Sequence, residues 1–115
     1  MLKIAVAYAS PLFMLERVLE VFDLRKYFGA IASAESLPYS KPHPQVYLDA
    51  AAKLGVDPLN CVTLEDSFNG MIATKAARMR SIVVPAADYR DDARWALANV
   101  KLANLTELKA EHLFN

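Results

Sequence analysis

Glu65 and Asp66 follow an apolar run over residues 60–64 and precede a helical pattern, so two carboxylates stand where a strand gives way to a helix. Neighbouring strand residues face opposite ways, and both acids reach one site only if the chain leaves the pleat there, as a helix start requires. Oxygen donors of this kind suit magnesium, which takes a few carboxylates together with water and substrate phosphate. The same residues also fit a plain structural role, with Asp66 or Ser67 capping the helix and Glu65 solvated.

Ser10 ends an apolar run and precedes Pro11, so its hydroxyl and the amides of the next turn can hold a phosphoryl oxygen; it equally fits a helix cap before a first-turn proline. Lys41 lies in a loop with prolines at 38, 42 and 44. That stiffness delivers an ammonium with less entropy loss than a mobile loop does, although a solvated lysine is the ordinary alternative. His43 and His112 are isolated, with no second ligand at metal spacing. Cys61 reads as a small buried hydrophobe, and Phe68, Trp95 and the methionines as packing.

The elements that must position these residues alternate. A strand over residues 2–7 leads to an amphipathic helix over 11–23 bearing Leu12, Leu15, Val18, Leu19 and Phe22 at three- and four-residue intervals. Residues 30–33 form a weak strand and 37–44 a proline-restricted loop. A helix then starts at Pro44, carries Val46, Tyr47, Ala50, Ala51 and Leu54, and stops at Gly55. A strand over 60–64, a helix containing Met71, Ile72, Ala76 and Ala77, and a strand over 81–84 follow. Residues 91–100 and 106–113 read as helical. This order predicts an α/β fold, a Rossmann-like parallel sheet with flanking helices, whose ligand site lies beyond the carboxyl ends of the strands. Ser10, Lys41, Glu65 and Asp66 all fall at that end.

Composition narrows the function classes. The 115 residues are 55% hydrophobic, enough for one domain over residues 1–115. Thirteen basic and thirteen acidic residues leave no net charge, which argues against nucleic-acid or membrane-surface partners. A single cysteine excludes an internal disulfide and fits a reducing cytoplasm. The apolar start is broken by Ser10 and Pro11 and followed by Glu16, Arg17 and Glu20, unlike a secretory leader, and no apolar run is long enough to span a bilayer.

The strand ending Tyr8-Ala9-Ser10-Pro11, then Ser40-Lys41-Pro42-His43-Pro44, then Leu64-Glu65-Asp66-Ser67 together resemble the haloacid dehalogenase superfamily, most closely its sugar-phosphate phosphatases, along the whole chain. The resemblance implies an aspartate nucleophile, an aspartyl-phosphate intermediate, a second aspartate two positions on as general acid/base, and one Mg2+. It assigns Lys41 to neutralising nucleophile and phosphate, Asp66 to the metal with Glu65 in support, and Ser10 to the phosphate side. Tyr8 departs from the serine or threonine usual in relatives. Gly70 stands where other branches carry a further acid, and Glu65 compensates.

None of the aspartates at 23, 49, 57, 66, 88, 91 and 92 forms an Asp-x-Asp after an apolar strand. By the resemblance, the nucleophile strand, which sits mid-sheet between the strands ending near Ala7 and Leu64, and the cap domain are missing. The chain therefore reads as the C-terminal part of a sugar-phosphate phosphatase, inactive alone, with strand edges open to a partner chain or to self-association. Two other readings are a non-catalytic receiver-like binding module, against which the position of Lys41-Pro42 argues, and a regulatory fragment pairing with a complete subunit.

Overall fold

A computed structural model describes residues 2–8 and 11–114. The chain runs β1 (Ala5–Tyr8), α1 (Leu12–Val21), β2 (Ala30–Ser33), α2 (Gln45–Leu54), β3 (Val62–Glu65), α3 (Phe68–Ala76), β4 (Arg80–Val83), β5 (Val100–Lys101) and α4 (Ala110–Leu113). Short 3-10 turns precede β2, β3, β5 and α4. Every strand pair is parallel, as the strand–helix alternation predicts.

The strands fall into separate sheets. β1 pairs with β2, Ala5 opposite Ala30, while β3, β4 and β5 pair in that order, Val62 opposite Arg80 and Ile82 opposite Val100. Among the described residues β1 and β3 do not close on each other, so each keeps a free edge. What joins the halves is side-chain packing. Ala32, Val46, Tyr47, Ala50, Ala51, Ala73 and Met79 share one core with Ala5 and Ala7. Small residues dominate it, which lets α2 lie close over β1 and β2 and against α3.

Local chemistry explains α2 well. Proline-restricted backbone leads into it, Val46, Tyr47, Ala50 and Ala51 are buried, and Gly55 ends it at φ 69° with its N–H returned to Ala51 and Ala52 carbonyls. The expected face of α1 is only half used: Leu15 and Leu19 are buried, whereas Leu12, Val18 and Phe22 are exposed. Two further expectations are corrected. Residues 93–97 form a 3-10 turn and not a helix running to 100, because Trp95 Nε1 donates to Tyr89 O at 2.7 Å and its ring stacks on Phe68. The chain then extends as β5, held by Asn99, whose Oδ1 accepts from Ser81 N and Lys75 Nζ, each at 2.8 Å. The terminal helix is broken into a 3-10 turn, Leu105–Glu107, and α4. No described helix is long and apolar enough to cross a membrane.

Candidate functional site

Lys41 carries the contact that organises the carboxyl ends of the strands. Its Nζ donates to Glu65 Oε1 at 2.7 Å and to Ala7 O at 3.3 Å, so one ammonium ties the end of β1 to the end of β3. The pair is sheltered, with the lysine and glutamate side chains 17% and 7% exposed. Burial strips water from both charges, and such a pair holds only with good geometry and further hydrogen bonds. Tyr47 supplies one: its hydroxyl donates to the same Oε1. The ammonium also lies 5.0 Å from the Tyr47 ring centroid. The Lys41–Pro42 peptide is cis.

Glu65 is therefore neither solvated nor idle. The other half of its niche is Gly70, where an added Cβ would fall inside the Glu65 carboxylate. α3 approaches β3 this closely because Thr74 Oγ1 donates to Gly70 O at 2.9 Å and pairs with Thr63 Oγ1 at 2.8 Å, all buried. The helix cap falls to Ser67, whose Oγ accepts from Gly70 N at 3.0 Å. Asp66 takes no part in the cap and is exposed beside it. The two acids thus divide: Glu65 ends the strand facing inward, and Asp66 has left the pleat.

Phe68 opens α3 between two partners, Trp95 at 4.0 Å and the Arg94 guanidinium at 3.7 Å from the ring centroids. Arg94 in turn hydrogen-bonds Asp92, and those bonds hold the Asp92 carboxyl below the usual carboxylate range. This stack braces the turn carrying Asp66.

Ser10 lies outside the described residues. Pro11 occupies the cap position of α1, and the amide of Leu12 is satisfied by Glu35 Oε2 at 3.0 Å, from the segment after β2. Tyr8 is half exposed at the carboxyl end of β1, opposite Ser33. Of the candidates, Lys41, Glu65 and Asp66 share one rim. The sequence patterns did not single out Tyr47, whose hydroxyl was hidden in an apolar helical stripe, nor Glu35, whose partner is distant in the chain.

Among the described residues no group of three or more His, Cys, Asp or Glu is placed to hold a metal. Burial first and the Asp57 carboxylate second push the Cys61 thiol up, which lowers its share of thiolate. A concavity of about 340 Å³ near the start of β1, lined by Lys3, Tyr27, Gly29 and Lys53, contains none of the rim residues.

Residues 1–78 match the hydrolase family described as haloacid dehalogenase-like hydrolase. Hexitol phosphatase B of Escherichia coli O157:H7 is 71% identical over 112 residues, covering 97% of this chain and 50% of that protein. Fructose-1-phosphate phosphatase YqaB of Escherichia coli K12 is 36% identical over 80 residues, 70% of this chain and 43% of that protein. Among solved structures, CbbY from Rhodobacter sphaeroides in complex with xylulose-(1,5)bisphosphate superposes with a TM-score of 0.86 at 33% identity, covering 98% of this chain and 52% of that one. β-Phosphoglucomutase from Clostridium difficile gives 0.84 at 30% identity, covering 97% and 47%. The chain spans about half the length of the relatives it matches.

Proposed function

The chain belongs to the haloacid dehalogenase-like hydrolases, and on that footing we propose that it contributes the lysine and carboxylate side of a site that hydrolyses a sugar phosphate or sugar-alcohol phosphate. The observation carrying this reading is the sheltered Lys41–Glu65 pair, which sets a cation and a carboxylate side by side at the carboxyl ends of the strands, next to the exposed Asp66. The hexitol and fructose-1-phosphate phosphatases among the relatives support the substrate class.

Lys41 is the catalytic and phosphate-binding cation. An ammonium fixed from the backbone of β1 and from Glu65 needs no reorganisation to neutralise a phosphoryl oxygen. Ser10 adds a hydroxyl on the phosphate side. Asp66, with Glu65 beside it, fits a magnesium ion, which uses one or two carboxylates and leaves its other positions to water and substrate phosphate. Bound there, magnesium supplies charge neutralisation to the phosphoryl oxygens. The neutral net charge of the chain and its single cysteine favour a small-molecule substrate and a cytoplasmic setting.

No Asp-x-Asp occurs in the 115 residues, so a nucleophilic carboxylate must come from outside them, and the strand bearing it would pair with the free edges of β1 and β3. Those edges also favour a second reading, a regulatory fragment that pairs with a complete subunit; dimerisation without turnover would mark it. The first reading is tested by phosphate release from a hexitol phosphate with magnesium. The chain alone gives little or none. Adding a polypeptide that carries an apolar strand ending in Asp-x-Asp restores release, and Lys41→Ala or Asp66→Asn then lowers it roughly 100-fold or more. Magnesium-dependent release by the 115 residues alone, lost on either substitution, overturns the need for a second segment. Restored release indifferent to both substitutions overturns the assigned roles.

A further inference from the structure

A glutamate side chain turns freely about its last torsion, so a carboxylate meant to face a cation has to be held. In this molecule Glu65 is held from several sides. Lys41 Nζ and the Tyr47 hydroxyl both donate to Oε1, and the carboxylate lies over Gly70, in the space a side chain there would fill. Lys41 comes from a loop and Tyr47 from the first turn of α2, so the two donors are fixed by different elements. Tyr47 is itself buried in the core that packs α2 and α3 with the β1-β2 sheet, with Val46 beside it fully enclosed. A phenylalanine would fill the same volume. The hydroxyl is therefore surplus to packing, and its partner is the sheltered carboxylate that the described residues place on the rim.

We infer that Tyr47 is a positioning residue: its hydroxyl pins Oε1 of Glu65 beside Lys41 and so fixes the plane in which this carboxylate, next to Asp66, meets a divalent cation. The inference rests on the proposed cation site at Glu65 and Asp66. It assigns to α2 a part in that site, although α2 contributes no ligand of its own.

The test uses the 115-residue chain with Mn2+ as the probe, followed by selective broadening of the amide resonances of residues 65–67. Tyr47→Phe raises the Mn2+ concentration needed for half-broadening roughly tenfold, the usual scale for loss of a partner that orients a ligand. Val46→Ala, which opens a cavity in the same turn of α2 without touching Glu65, lowers the urea midpoint and leaves the Mn2+ response unchanged. Equal responses from the parent chain and Tyr47→Phe overturn the role of Tyr47 while the cation site stands. A parent chain without selective broadening overturns the cation site, and the inference with it. A loss in Val46→Ala as large as that in Tyr47→Phe shows that the response follows stability, and overturns positioning.

Discussion

Glu65 illustrates how a buried charge is made tolerable by what its neighbours lack as much as by what they offer. Lys41 and Tyr47 give it donors, and Gly70 gives it room. Contrast the pair Arg17–Glu20 on α1, both side chains about seven-tenths exposed, which is screened by water and contributes next to nothing. Room is the easier of the two provisions to test. Gly70 sits in the first turn of α3, and the strain of an alanine there comes from the overlap with the Glu65 carboxylate. Gly70→Ala is expected to destabilise the chain by about 1–3 kcal/mol, the range for overpacking a closed site. In a Glu65→Ala background the same substitution should cost almost nothing, or stabilise slightly through alanine's better helix propensity. Urea unfolding of the four chains measures the coupling, and an equal cost in both backgrounds would show that Gly70 serves something other than Glu65.

Between elements, the polar join of α3 to β3 sets the height of the helix start that carries Ser67 and Asp66. Thr63 and Thr74 meet hydroxyl to hydroxyl under the helix, and Thr74 also reaches Gly70 O. Thr74→Val keeps the shape and strands the Thr63 hydroxyl, so a loss of about 1–3 kcal/mol follows from an unpaired buried polar group. Thr63→Val added to it should recover part of that loss, because the second change removes the orphan. Thermal melts of the single and double variants decide this, and strictly additive losses would rule out the pairing. This network also marks the limit of what patterns in the chain reveal. The alanine-rich strand at 30–33 is only weakly signalled and local rules leave the cap of α3 open between Asp66 and Ser67, whereas the helix from Pro44 to its Gly55 stop follows from those rules and could be read directly. So could the shared rim of Lys41, Glu65 and Asp66, through their place at strand ends. Tyr47 could not, since the helical period sorts it with alanines and valine. Residues 91–100 misled for the opposite reason: their helical spacing is real, but Trp95 and Asn99 make contacts across the chain that outweigh propensity.

At the scale of the whole molecule, the exposed area is too large for the mass. A compact monomer of 12.7 kDa exposes about 6,200 Å² by the usual scaling, whereas this chain exposes 7407 Å². The excess of roughly 1,200 Å² exceeds the 800 Å² or so that each partner buries in a standard interface. Part of it is the free edges of β1 and β3 and the uncovered apolar residues near them, among them Leu64 at 47% and Tyr8 at 50% exposed. Unpaired strand backbone beside apolar side chains is the arrangement that recruits another chain. The 115 residues alone are accordingly expected to self-associate as their concentration rises. Sedimentation velocity across a hundredfold range of concentration should show species heavier than 12.7 kDa growing with concentration. Leu64→Lys places a charge on β3 at a half-exposed position, where substitution changes stability by about 1 kcal/mol or less. It should move the association to concentrations severalfold higher and leave the melting temperature near its original value. A parent chain that sediments as a monomer throughout would mean that the two edges are shielded by their own surroundings. Association that Leu64→Lys fails to weaken would move the contact away from β3, with the exposed Phe13 and Phe22 of the α1 region the next surface to alter.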